Sequence, residues 1–218
     1  MHCVLCQSEA VGLFAKYKDK LFGQNLIREY FSCNCCDLVF LHPEHRLSYR
    51  DEKLRYLEHE NAVSDLKYMN YLKQLWDFVE ESLGEVFSPG LDYGCGPAKG
   101  YERLLEGRCQ IDSFDPYFYP HTIMKADSYQ FILCSEAAEH FYSPFEQFQE
   151  MQKLLRPKGF LGLRTELRNP SIDFEKWYYR LDPTHVVFYS EKTLLWLAQE
   201  LDLEIIKCSK NLLVAQKT

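Results

Sequence analysis

Leu91-Asp92-Tyr93-Gly94-Cys95-Gly96-Pro97-Ala98-Lys99-Gly100 is the stretch on which the reading of the fold turns. A short apolar strand runs into three glycines, at 94, 96 and 100, and a helical pattern follows. Glycine reaches positive φ without steric penalty and lets backbone N–H groups approach a ligand, while Asp92 sets a carboxylate ahead of the turn. Such glycines also serve as a plain strand-to-helix connection, so neighbouring segments must supply the context.

Downstream, Tyr101, Leu104 and Leu105 form the apolar side of a short helix that Gly107 ends. Residues 110–114 predict a second strand closed by Asp115-Pro116. A doubly wound sheet sets an acid at this point, about 20 residues past the glycines, to accept hydrogen bonds from ribose hydroxyls. Asp115 also suits a simple turn. Residues 117–130 contain no recognisable third strand. Residues 131–134 form a compact apolar strand, and Ser135, Glu136, Glu139 and His140 follow at its carboxyl end, where such sheets bind ligands.

Ser143-Pro144-Phe145-Glu146 reads as a capping box with proline at the first helical position. Phe145, Phe148, Leu154 and Leu155 give that helix its apolar face, Arg156-Pro157-Lys158-Gly159 ends it, and residues 160–165 form the next strand. The connection 166–189 carries Trp177, Tyr178, Tyr179, Arg180, Asp182 and His185, and connections this long are often functional. Ser190 opens a final helix. Strands 203–208 and 212–216, joined by a tight turn, end the chain. The predicted fold is α/β, a doubly wound Rossmann-like sheet, mostly parallel with an antiparallel last strand.

Upstream, Tyr68, Leu72, Leu75, Trp76, Val79 and Leu83 recur at helical spacing after Ser64, a candidate N-cap. Residues 43–64 read as a polar connector in which His59-Glu60-Asn61 is either a ligand contact or a solvated segment. Residues 1–42 are a module of a different kind. Cys3-Val4-Leu5-Cys6 and Cys33-Asn34-Cys35-Cys36 each hold a C-x-x-C knuckle, and Cys3, Cys6, Cys33 and Cys36 together make the four-sulfur shell of a structural Zn²⁺, as in a zinc ribbon of short strands. Cys35 is surplus. The expected organisation is therefore 1–42 zinc ribbon, 43–64 connector and 65–218 Rossmann-like domain.

The 218 residues are 46% apolar and 15% aromatic, enough for one substantial core and one small module. A formal charge of −7 argues against nucleic acid as a partner, because phosphate binding draws on clustered Lys and Arg. No run approaches the ~20 apolar residues of a membrane span and no leader pattern precedes Cys3, which gives a cytoplasmic expectation. Nine cysteines, five of them in the first 36 residues, fit metal ligation in a reducing compartment.

Asp92-x-Gly94-x-Gly96, Asp115 after the second strand, Glu136-Ala137-Ala138-Glu139-His140 and Leu155-Arg156-Pro157-Lys158-Gly159 together resemble class I S-adenosylmethionine-dependent methyltransferases, over roughly residues 65–218. The Asp182-Pro183-Thr184-His185 segment looks like the D-x-x-H connection of the small-molecule, ubiquinone-methylase-like branch, and the four-cysteine module is similar to that of sugar C-methyltransferases. The resemblance implies that Asp92, Tyr93, Gly94, Cys95 and Gly96 hold the methionine end of S-adenosylmethionine, that Asp115 with Pro116 takes the ribose, and that Ser135 and Glu136 floor the sulfonium. It departs from the family at Ala98, where many members carry a third glycine.

The implied activity is O- or C-methylation of a small-molecule acceptor. Methyl transfer needs mainly alignment, and His140 or His185 is the candidate general base, with Glu139 orienting His140. Three other readings compete: an RNA methyltransferase using the ribbon for capture, a nicotinamide-dependent oxidoreductase and a non-catalytic S-adenosylmethionine-binding scaffold. The oxidoreductase turn G-x-G-x-x-G differs here by one position. The oligomeric state is not legible in the sequence.

Overall fold

The computed structural model describes residues 1–218 apart from 22, 59–61 and 86–88. His59-Glu60-Asn61 therefore lies outside the described residues. The elements run β1 (Val11–Leu21), β2 (Gln24–Cys33), β3 (Val39–Leu41), α1 (Tyr49–Leu57), α2 (Leu66–Leu83), β4 (Gly90–Tyr93), α3 (Gly100–Leu104), β5 (Ile111–Phe114), β6 (Tyr129–Ser135), α4 (Pro144–Leu154), β7 (Leu155–Arg164), α5 (Tyr178–Leu181), β8 (Val187–Phe188), α6 (Glu191–Glu200), β9 (Leu203–Ser209) and β10 (Leu212–Lys217). Two further short 3-10 turns occupy Pro43–His45 and Ala138–His140.

The larger sheet has the order β5-β4-β6-β7-β10-β9. β4 pairs in parallel with β5 and β6, and β6 with β7, whereas β10 runs antiparallel to β7 and β9. This is the expected doubly wound arrangement with its antiparallel finish. Alternation along β6 explains the layering, since successive side chains leave opposite faces of a strand. Phe131 and Leu133 join Leu75, Trp76 and Val79 of α2 on one face. Ile132 and Cys134 join Phe148 and Met151 of α4 and Leu194 and Leu197 of α6 on the other. No helix among the described residues is long and apolar enough to cross a membrane.

The smaller sheet, β1-β2-β3-β8, is antiparallel throughout. β1 and β2 form a long hairpin instead of the short strands expected, and β8 comes from the connection 166–189, more than 140 residues downstream of β3. Phe174 is the reason the two ends meet. It packs edge-on against Tyr30 of β2 at 5.2 Å and Phe188 of β8 at 5.1 Å, so the cysteine module and the connection share one core.

Several local expectations need correction. Asp65, not Ser64, caps α2, accepting a hydrogen bond from the Lys67 backbone. Ser143 makes no side-chain capping bond; the reciprocal capping box lies at Ser190 and Thr193 of α6. Leu155 leaves the helix for β7, pairing with Tyr129, and Lys158 turns that strand at φ 61°. The 43–64 connector holds α1, capped by Ser48, whose hydroxyl accepts from the Asp51 N–H.

Candidate functional site

The turn after β4 is stapled to the end of β5: the Gly94 and Cys95 N–H groups donate to the Phe114 carbonyl at 2.8 and 3.1 Å. Gly94 has φ +83°, and a Cβ there would stand 2.5 Å from Ala137 Cβ, so only glycine lets this turn pass the end of β6. Gly100 has a different task. A Cβ on it would meet Leu72 Cδ1 at 2.2 Å, which makes it the close-approach point between α3 and α2. The displaced third glycine thus serves packing, and Lys99 before it takes the left-handed conformation, φ 48°, with its ammonium 4.2 Å from the centre of the Tyr119 ring.

Asp115 sits at the carboxyl end of β5 and organises that corner. Its Oδ2 accepts from Gly96 N–H at 3.0 Å, and its Oδ1 from Tyr117 and Phe118 N–H at 2.8 and 3.1 Å. Burial raises its pKa, against the pull of those three backbone donors. Asp92 is buried beneath the turn, away from the cleft wall, where desolvation lifts its carboxyl to about 8 against a backbone hydrogen bond from Tyr101.

A cleft of about 1440 Å³ opens at the carboxyl ends of β4, β5 and β6. Of the residues expected to bind cofactor, Tyr93, Gly94, Cys95, Asp115, Pro116, Ser135 and Glu136 line it, while Asp92 and Gly96 stand behind. Glu136 Oε1 accepts from Tyr71 of α2 at 2.7 Å. Acids outnumber Arg55 and Lys67 among the described lining residues, which favours a cationic occupant.

Glu139, His140 and His185 meet in the same cleft. The Ala138–His140 turn is tied to the connection ahead of α6 by three bonds: Val186 N–H to the Glu139 carbonyl at 2.9 Å, Tyr189 hydroxyl to the Ala138 carbonyl at 2.9 Å, and His140 Nδ1 to the Thr184 carbonyl at 3.0 Å. His185 Nδ1 likewise faces the Tyr179 carbonyl at 2.7 Å. A carbonyl only accepts, so each ring carries its proton on Nδ1 and presents Nε2 as the basic nitrogen. The two Nε2 atoms lie 4.0 and 3.9 Å from Glu139 Oε1, beyond hydrogen-bond reach, so Glu139 does not orient His140 by a direct bond. The D-x-x-H segment earns its spacing locally. Asp182 Oδ1 accepts from the Thr184 N–H and hydroxyl at 2.9 and 2.6 Å, Oδ2 from Arg55 at 3.0 Å, and the turn so fixed presents His185.

One wall was missed by sequence reasoning. Glu52 of α1 is buried and accepts hydrogen bonds from the hydroxyls of Tyr56, Tyr117 and Tyr142, binding α1 to the segments after β5 and after the Ala138–His140 turn. The signal was present in Ser48 followed by Asp51 and Glu52, an N-cap with acids in the first helical turn. Tyr178 and Tyr179 line the cleft, whereas Trp177 packs into the core against Phe174 and Phe188.

The four knuckle sulfurs come together outside the cleft. Cys3 and Cys36 Sγ are 3.6 Å apart, Cys6 and Cys33 Sγ 3.4 Å, and all four lie within 4.8 Å of one another. A tetrahedral Zn²⁺ with bonds of about 2.3 Å sets its sulfurs about 3.8 Å apart, so the cluster is compatible with a zinc site. The hydrogen bond with Cys36 pulls the Cys3 thiol well down and pushes its partner up. Cys35 points to solvent.

A family model described as "Methyltransferase domain" matches residues 50–207. No curated protein sequence matches the chain. Among solved structures, the chain is similar to 1,6-didemethyltoxoflavin-N1-methyltransferase of Burkholderia thailandensis, solved with 1,6-didemethyltoxoflavin and S-adenosylhomocysteine, at 12% identity and TM-score 0.54, covering 88% of this chain and 96% of that one. It is also similar to a proposed sarcosine dimethylglycine methyltransferase of Galdieria sulphuraria, at 13% identity and TM-score 0.52, covering 77% and 98%. At these identities the likeness is one of fold.

Proposed function

The chain belongs to the methyltransferase-domain family and is an S-adenosylmethionine-dependent methyltransferase, and we propose that it methylates an oxygen or carbon atom of a small-molecule acceptor in the cleft above β4, β5 and β6. The observation that carries this reading is the junction of the Gly94 turn, Asp115 and Glu136 on one acid-lined wall with Glu139, His140 and His185 on the other. A polyanionic acceptor such as RNA would meet that acidic wall unfavourably. The Asp182-Pro183-Thr184-His185 segment supports a place in the small-molecule, ubiquinone-methylase-like branch.

The residues fit S-adenosylmethionine, which supplies a methyl group on a sulfonium already activated for displacement. The Gly94 turn brings its backbone to the cleft, Tyr93 and Cys95 line the cleft beside it, and Asp115 keeps acceptor capacity beyond its three backbone donors for ribose hydroxyls. Ser135 and Glu136 floor the sulfonium. The chain contributes alignment and water exclusion, and the His140 and His185 Nε2 atoms stand where an acceptor hydroxyl gives up its proton. The cysteine module, with Zn²⁺ on Cys3, Cys6, Cys33 and Cys36, is structural: it braces the connection bearing His185.

Calorimetry with S-adenosylmethionine, S-adenosylhomocysteine and NAD tests the cofactor. Binding of both sulfur nucleotides and not of NAD is expected, and absence of both would remove the reading. Tritium transfer from labelled S-adenosylmethionine to small-molecule extracts, set against total RNA, then identifies the acceptor class.

A further inference from the structure

We propose that Tyr71 of α2, clamped by Arg164 at the end of β7, is a positioning residue: it fixes the Glu136 carboxylate in the cleft so that the site prefers a positively charged sulfonium over the neutral thioether left after methyl transfer. The inference deepens the proposed function and rests on its placement of Glu136 beneath the sulfonium.

The arrangement builds from the backbone outward. Glu136, directly after β6, has φ 49°, a left-handed conformation uncommon for any residue but glycine. Such a conformation persists only where its surroundings over-determine it. Arg164 supplies one restraint, its carbonyl accepting from the Glu136 N–H at 2.9 Å. Tyr71 supplies another, its hydroxyl donating to Glu136 Oε1 at 2.7 Å. Ala137, the next residue, abuts the glycine turn, its Cβ 2.5 Å from where a Cβ on Gly94 would stand. Glu136 thus follows β6 beside that turn, and both line the cleft.

Arg164 has little freedom of its own. Its Nη1 donates to the Tyr71 carbonyl at 2.7 Å, its Nη2 to Gln74 Oε1 at 3.0 Å, and its guanidinium carbon lies 3.4 Å from the centre of the Tyr71 ring. The arginine side chain is 5% exposed and that of Glu136 32%, so the first is buried support and the second reaches the cleft. Arg164 Nε stands 3.9 Å from Glu136 Oε1, beyond hydrogen-bond reach, and has no hydrogen-bond partner among the described residues. The phenol is therefore the group that bonds the carboxylate, and Arg164 acts through it. Burial raises the pKa of Glu136, and the Tyr71 hydrogen bond and the Arg164 charge oppose that rise. A carboxylate held in this way attracts a sulfonium and gains nothing from a thioether, a difference that helps product leave.

Calorimetry on the full chain tests this through the ratio of S-adenosylmethionine to S-adenosylhomocysteine affinity. Tyr71→Phe keeps the ring on which Arg164 stacks and removes only the hydroxyl, whereas Glu136→Gln removes the charge. Each is expected to lower the ratio about fivefold or more, with S-adenosylhomocysteine affinity held within about twofold of wild type. The double variant should fall no further than Glu136→Gln alone, because the hydroxyl acts only through the carboxylate. A merely structural role for Tyr71 would instead weaken both nucleotides alike. An unchanged ratio in Glu136→Gln would take Glu136 from beneath the sulfonium and the inference with it. A ratio lowered by Glu136→Gln and unmoved by Tyr71→Phe, or a parallel loss of both nucleotides in Tyr71→Phe, overturns the role of Tyr71 and leaves the proposed place of Glu136 standing.

Discussion

Arg28 of β2 donates from Nη2 to the carbonyl oxygen of His185 across 3.4 Å, so a side chain of the cysteine module holds the backbone of a cleft residue. The same guanidinium reaches the carbonyls of Arg180 and Pro183, and Asp19 on the paired strand binds Arg180 at 2.6 Å. The module is thereby a brace for the segment that carries Asp182 and His185.

Replacing Arg28 with Met should free that segment without disturbing the glycine turn. Hydrogen exchange of amides in residues 180–187 is expected to rise about tenfold or more, while β4 and β6 stay protected and S-adenosylhomocysteine affinity stays within twofold. Unchanged protection of residues 180–187 would show that β8 alone anchors them.

The cysteine cluster predicts a contrast between neighbours. If the proposed zinc fills this cluster, Cys36→Ser should abolish zinc binding there and lower Tm substantially, since a structural zinc contributes on the order of 10 kcal/mol to the fold it closes. Cys35→Ser, with its thiol in solvent, should keep both zinc content and Tm. A folded Cys36→Ser chain with unaltered Tm would dismiss the structural ion.

Asp115→Ala should weaken S-adenosylhomocysteine by about 1–3 kcal/mol through the lost charge-assisted hydrogen bonds. Tm should fall as well, because Gly96, Tyr117 and Phe118 lose their common acceptor. Asp115→Asn keeps one acceptor oxygen and should lie between wild type and the alanine variant. Calorimetry that finds equal affinity in all three would take Asp115 out of the cofactor site.

The buried Asp92 gives stability a pH dependence of definite sign. Its folded pKa of about 8 exceeds the unfolded value of 3.8, so the folded state holds the proton more tightly. Stability from this group is complete below pH 4 and is lost as pH rises toward 8 and beyond, a change of up to several kcal/mol. Asp92→Asn carries no such charge, so its Tm relative to wild type should climb from pH 5 to pH 8. A Tm difference that stays flat over this range would mean that Asp92 remains charged in the folded protein.

Much of the scaffold was legible because it rests on local signals. The helical period of α2, the apolar run of β6 and the glycine turn between β4 and α3 each occupy a few consecutive residues, and backbone geometry translates them directly. Even there, Ser143-Pro144-Phe145-Glu146 has the residue pattern of a capping box and makes no side-chain cap, while Ser190 and Thr193 of α6, which lack the acid at the third position, form one; only the surrounding contacts distinguish them.

The sequence by itself determined the doubly wound sheet, the corner where Gly96 and Asp115 meet and the pairing of two cysteine knuckles, because spacing along the chain dictates each. Only the tertiary structure decided that β8 completes the cysteine module's sheet, that Glu52 gathers three tyrosines and that Glu139, His140 and His185 converge. Those groupings join polar side chains from segments far apart in the chain. They have no period to read, and each buried charge is tolerable only through partners that folding brings to it.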